Sequence, residues 1–156
     1  MAAPVRVLVV DDSQVFRRFL SRALAADPMI EVVGEAMSAE EARDLVGKAR
    51  PDVITLDLEM PGQGGLMFLR KHAARLRIPT IVISSQTQSG ARISIEALEA
   101  GAVDVLPKPR GLAPGTPNHV ALGDIAERVK AVARARVRGR DIVSPPVRPA
   151  ARVAAA

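Results

Sequence analysis

Val7-Leu8-Val9-Val10-Asp11-Asp12-Ser13 decides the fold. Four apolar residues run unbroken and stop on two carboxylates and a hydroxyl. A strand buried on both faces reads this way, whereas a strand with one wet face alternates. The pattern recurs down the chain. Val53-Ile54-Thr55-Leu56 stops on Asp57, and apolar runs at Pro79–Ile83 and Val103–Leu106 lead to Ser84 and to Lys108-Pro109. In an open α/β sheet the carboxyl ends of the strands share one edge, and ligands bind there. Three carboxylates, a hydroxyl and an ammonium are therefore expected to converge. The acids suit a hard cation, and the amine and hydroxyl suit an anion. Together they describe a magnesium-assisted phosphoryl-acceptor site.

The stretches between these runs carry helical patterns. Ser13 is placed to cap a helix bearing Val15, Phe16, Phe19, Leu20 and Leu24, which ends near Asp27-Pro28. A strand over Ile30–Gly34 follows, and Ser38 with Glu41 forms a capping box opening a helix to about Ala49. The third strand spans Asp52–Leu56, and Pro61-Gly62-Gln63-Gly64-Gly65 turns the chain into a helix through Leu66 and Leu69. Ser89–Ala100 reads as helical and stops at Gly101, which suits a left-handed cap. Ile125, Val129, Val132 and Ala133 mark a last helix by their spacing. Arg110–Gly123 reads as a long loop before it. Five strands alternating with five helices define an α/β chain with a doubly wound, five-stranded parallel sheet.

The chain has 156 residues, which suits one domain and a tail. Residues 1–138 are expected to form the domain. Residues 139–156, rich in Pro, Ala and Arg, read as a linker or disordered tail. No cysteine is present, which excludes disulfides, thiolate metal sites and cysteine nucleophiles. No apolar stretch approaches the ~20 residues of a membrane span, so a cytoplasmic location without membrane insertion is expected. The net charge of +5 is unevenly placed. Residues 1–110 hold 14 Lys+Arg against 14 Asp+Glu, and residues 111–156 hold 8 against 3. The excess lies in residues 111–156, with Arg134, Arg136, Arg138 and Arg140 alternating at the end of the last helix. Cations favour a helix C-terminus, and no helix-turn-helix or stacking aromatic follows them, so nucleic acid is not the expected partner.

Taken singly, these residues have plainer roles: an Asp pair caps a helix, Asp57 makes a turn, Lys108 sits on the surface. Their order at the ends of one sheet's strands argues for chemistry. Mg²⁺ takes oxygen ligands in an octahedron and keeps several waters. Asp12, Asp57 and the backbone carbonyl of Glu59 are the expected direct ligands, with Asp11 acting through water. Asp57 then attacks a phosphoryl donor while the metal and Lys108 neutralise the equatorial oxygens, giving an aspartyl phosphate. Ser84 donates a hydrogen bond to the phosphoryl group once it is in place.

These stretches resemble the receiver domains of two-component response regulators. Val7–Ser13, Asp52–Pro61, Pro79–Ser85 and Gly101–Pro109 carry the likeness, which spans residues 5 to about 138. Ser84-Ser85-Gln86-Thr87, Gly90-Ala91, Glu96-Ala97-Leu98-Glu99 and Gly101-Ala102-Val103-Asp104 are further similar to the receiver of the chemotaxis protein-glutamate methylesterase. So is Leu56–Pro61. The resemblance implies a flavodoxin-like receiver fold and makes Asp57 the phosphoacceptor, Asp11 and Asp12 the acidic pair, Ser84 the switch hydroxyl and Lys108 the family's lysine. It further implies phosphorylation by a histidine kinase of a chemotaxis system. In that family a linker joins the receiver to an esterase domain that acts on chemoreceptors and is blocked until phosphorylation.

Three positions depart from the family pattern. Val105 stands where an aromatic usually swings inward, and a β-branched residue is stiff at χ1. Gly64-Gly65 stands where an Asp usually precedes the glycine, a change expected to affect loop stability rather than chemistry. Arg110–Gly123 is longer than a minimal receiver needs. No G-x-S-x-G elbow occurs, and His72 and His119 read as surface residues, so these residues hold no esterase site and an output domain is expected beyond Ala156. The competing readings are a stand-alone or DNA-binding response regulator and a receiver that is never phosphorylated.

Overall fold

The structure is a computed structural model that describes residues 3–60, 64–84, 90–109 and 118–141. Five strands, β1 (Val5–Val10), β2 (Ile30–Ala36), β3 (Val53–Leu56), β4 (Thr80–Ser84) and β5 (Asp104–Pro107), form one parallel sheet in the order β2-β1-β3-β4-β5. The helices are α1 (Gln14–Ala25), α2 (Ala39–Ala49), α3 (Gly64–Leu76), α4 (Gly90–Ala100) and α5 (Asn118–Asp141). The α/β doubly wound parallel sheet expected from the sequence is present.

Alternate residues of each strand feed two cores. Leu8, Val10, Ile54, Leu56 and Val82 pack with Ala42, Val46, Phe68, Leu69 and Ala97 of α2, α3 and α4. Val7, Val9, Val53, Ile81 and Ile83 pack with Phe16, Leu20, Leu24, Leu122, Ile125 and Val129 of α1 and α5. A strand sandwiched this way has no wet face, which is why its sequence shows no alternation. Each of the buried Val, Leu, Ile and Phe side chains contributes about 1.5–3 kcal/mol by leaving water.

The caps are local chemistry made visible. The Ser13 hydroxyl accepts the Phe16 N–H at 3.3 Å, and Ser38 accepts the Glu41 N–H at 3.2 Å. The return bond of the capping box is displaced by one residue: the Glu41 carboxylate takes the Met37 N–H at 2.8 Å. After α4, Gly101 has φ +120°, its N–H meets the Leu98 carbonyl and the Ala102 N–H meets that of Ala97. This is the Schellman pattern. At the amino edge of the sheet, Arg6 donates to the Ala49 and Arg50 carbonyls and its backbone N–H meets Asp52. Lys130 ties α5 to Asp27 at 2.6 Å.

Several details differ from expectation. The last helix continues to Asp141, into the residues expected to be tail, and β3 and β5 each start one residue later than expected. β2 continues to Ala36, and its pairing with β1 slips between Val7 and Leu8, so one residue of β2 bulges. Pro79 lies before β4, where its carbonyl accepts the Ile54 N–H. α3 runs from Gly64–Phe68 through a π-helical turn at Leu69–Ala73 to Ala74–Leu76. The last helix starts at Asn118, so Gly123 lies inside it. There Leu122, 3% exposed, carries the apolar stripe back one turn, and burying it outweighs the ~1 kcal/mol cost of an internal glycine. The turn at Pro61–Gln63, the helix start at Ser89, the first part of the loop after Arg110 and the tail from Ile142 lie outside the described residues.

Candidate functional site at the carboxyl edge of the sheet

Backbone ladders deliver each group. The Asp11 N–H bonds the Ala36 carbonyl at 2.9 Å and the Asp57 N–H bonds that of Val10 at 3.0 Å, so both acids sit at the ends of neighbouring strands. The Lys108 N–H bonds the Ser84 carbonyl at 2.9 Å, which fixes Ser84 and Lys108 on the next pair. Asp11, Asp57 and Ser84 are buried, each 2% exposed, while Asp12 and Glu59 are exposed. Oxygens of Asp11, Asp12 and Asp57 lie within 4.8 Å of one another. The structure thus brings the expected carboxylates and the lysine together.

The two buried acids are held by local backbone. Asp11 Oδ1 accepts the Ser13 N–H at 2.8 Å and Asp57 Oδ1 accepts the Glu59 N–H at 3.1 Å. Their other oxygens face Lys108, whose Nζ is 2.9 Å from Asp11 Oδ2 and 3.6 Å from Asp57 Oδ2. Arg17 braces the rear by donating to the Asp11 carbonyl at 2.8 Å.

Charge is incompletely balanced here. Burial pushes the Asp57 carboxyl up from 3.8 to about 7; the Glu59 N–H opposes this, the Asp11 charge adds to it, Lys108 opposes it and Asp12 adds to it. Burial works against the Lys108 cation, but its hydrogen bond to Asp11 and the charges of Asp11 and Asp57 outweigh that and raise its pKa. One ammonium does not satisfy three carboxylates. The donor set fits a hard divalent cation, which takes oxygen ligands and supplies the missing charge.

Two residues of the site escape sequence reasoning. A Cβ at Gly65 would lie 2.2 Å from the Asp57 carbonyl oxygen and 2.8 Å from the Leu58 Cα. Glycine is required there so that α3 can start against the backbone that carries Asp57, and its place in a Gly64-Gly65 pair is the available signal. Phe16 belongs to the apolar stripe of α1, yet the Lys108 Nζ lies over its ring, 4.7 Å from the centroid. Periodicity alone places it only in the core. Val105 is half-buried against the α2–α4 core, as an ordinary strand residue.

Residues 7–113 match the response regulator receiver domain. The chain belongs to that family. Within it, the chain is similar to the receivers of protein-glutamate methylesterases. It is 46% identical over 134 residues to the protein-glutamate methylesterase/protein-glutamine glutaminase of Rhizobium etli, covering 86% of this chain and 37% of that protein. The Agrobacterium fabrum protein of the same description is 48% identical over 136 residues, covering 87% and 37%. The chain thus spans less than half the length of these relatives. Among solved structures, the response regulator domain of Thermotoga maritima CheB superposes with a TM-score of 0.74 at 36% identity, covering 84% of this chain and 97% of that one. The signal receiver domain of the putative response regulator NarL from Mycobacterium tuberculosis gives 0.71 at 28% identity, covering 86% and 100%. No helix among the described residues is long and apolar enough to cross a membrane.

Proposed function

We propose that this domain accepts a phosphoryl group on Asp57 from a histidine kinase of a cytoplasmic chemotaxis system and thereby controls a protein-glutamate methylesterase. The observation that carries the reading is the Asp57 carboxylate itself. It is buried at the end of β3 with one oxygen on a backbone N–H and the other facing an ammonium. The similarity to methylesterase receivers supports the output, and the greater length of those relatives supports an attached esterase domain beyond a linker that follows the receiver body. Chemoreceptors are then reached indirectly.

Asp11, Asp12, Asp57 and the Glu59 carbonyl would hold Mg²⁺, which supplies positive charge to the phosphoryl oxygens when bound. Asp57 contributes the nucleophilic oxygen. An O–P bond forms to it as the bond from phosphorus to the donor breaks, and the bonding pair leaves with the donor. Lys108 lies on the Asp57 Oδ2 side and neutralises an equatorial oxygen there. Ser84 stands on the adjacent strand end and hydrogen-bonds the transferred group.

Intact mass after incubation with Mg²⁺ and acetyl phosphate tests this. A single phosphoryl adduct that is absent in Asp57→Asn is the expected result. A folded, Mg²⁺-binding chain that gains no adduct sinks the reading and favours a receiver that docks partners without phosphorylation.

A further inference from the structure

We infer that Phe16 is a positioning residue for Lys108: its ring face holds the ammonium between Asp11 and Asp57. The inference rests on the reading of Asp57 as phosphoryl acceptor. Lys108 reaches the site on a four-carbon stem with free rotation about each bond, so its head needs a guide. Its Nζ makes a hydrogen bond to Asp11 at 2.9 Å, whereas the 3.6 Å separation from Asp57 is beyond ordinary hydrogen-bond length and leaves a Coulombic attraction. The third neighbour is the Phe16 ring at 4.7 Å, inside the ~6 Å over which a ring face attracts a cation.

The wall is held by its packing. Phe16 is 4% exposed and packed in the α1–α5 core, and its N–H is held by Ser13. Lys108 is itself mostly buried, its side chain 15% exposed, so water competes weakly for the ammonium and the ring's attraction counts for more. The two kinds of contact differ in shape. A hydrogen bond to Asp11 is directional, but the attraction of a ring face is broad. The ammonium is able to slide across the ring from Asp11 toward a group on Asp57 without losing that contact. The ring thus holds the cation at its face while leaving its position along that face less constrained. A leucine of similar bulk would fill the space and supply no negative face.

The test replaces Phe16 in the full chain with 4-fluoro-, 3,5-difluoro- and 3,4,5-trifluorophenylalanine, which keep the shape of the ring and drain its face of negative potential. Two quantities are read: the rate of adduct formation with acetyl phosphate and Mg²⁺, and the Lys108 ammonium resonance in nitrogen-detected NMR. The rate is expected to fall in step with fluorination, reaching about three- to tenfold at the trifluoro ring, the range commanded by a cation–π contact of ordinary strength. The Lys108 resonance should move in the same order, since the ring faces the Lys108 ammonium. A rate and a resonance indifferent to fluorination overturn the inference, as does a rate trend with an unmoved Lys108 signal. If the unmodified protein forms no adduct, the acceptor reading falls, and the Lys108 resonance alone decides the role of Phe16.

Discussion

The two edges of the sheet use the same ingredients to opposite effect. At the amino edge, Asp52 accepts the Arg6 N–H at 3.0 Å while the Arg6 guanidinium meets the Ala49 carbonyl at 2.6 Å and reaches that of Arg50 at 3.4 Å. Arg50, the left-handed cap of α2 with φ 51°, is thereby pinned. Acid and cation there each find partners and cross-brace the chain. At the carboxyl edge, Asp11, Asp12 and Asp57 crowd together, with one ammonium facing Asp11 and Asp57, and burial pushes Asp57 toward neutrality. One edge spends its polar groups on folding; the other keeps charge in hand for a ligand.

Asp57→Asn should break this contrast most sharply, abolishing the adduct while raising stability. In the folded, metal-free protein the Asp57 carboxyl titrates at about 7, above its ordinary 3.8. Across that interval the folded chain keeps a proton that the unfolded chain has lost, so stability falls as pH rises from about 4 toward 7. The asparagine variant should lose this slope and gain about 1–3 kcal/mol at pH 8, read from urea midpoints in metal-free buffer. An unchanged slope would show that the Asp57 charge is balanced after all.

Gly65→Ala should come next. The Asp57 carbonyl stands where the new methyl must go, and the forced shift should cost about 3 kcal/mol and slow adduct formation together. A variant of native stability and rate would mean that α3 starts with slack. Arg6→Ala should cost about 1–2 kcal/mol through its lost carbonyl bonds and leave the adduct rate unchanged, since it works only at the amino edge. A slowed rate would couple the two edges. Glu31→Gln, which removes an exposed 3.5 Å ion pair with Arg6, should change the urea midpoint by less than about 0.5 kcal/mol.

The sheet was legible because parallel strands covered on both faces leave unbroken apolar runs, and each run here stops on a polar group. The convergence of Asp11, Asp57 and Lys108 followed from that alone, since strand order needs no side-chain detail. Features set by tertiary contact were not legible. The π turn at Leu69–Ala73 leaves the sequence helical in composition. The start of α5 was hidden because Gly123 looks like loop punctuation, and only the burial of Leu122 shows otherwise. The lateral reach of Glu41 to Met37 depends on a rotamer, not on spacing. Phe16 belongs to a core stripe by its period and to the site by its neighbour.

The bulge in β2 has a bearing on how the molecule meets its own kind. β2 is an outer strand, and an outer strand offers its unused backbone groups to any passing chain. The slip opposite Val7–Leu8 breaks the even rhythm that a second strand would need to pair along it, and exposed Glu31 and Glu35 place charged side chains on that strand. The other border, β5, is four residues long and ends on Pro107, which has no N–H to offer. Both borders thus carry features that disfavour pairing with a further strand.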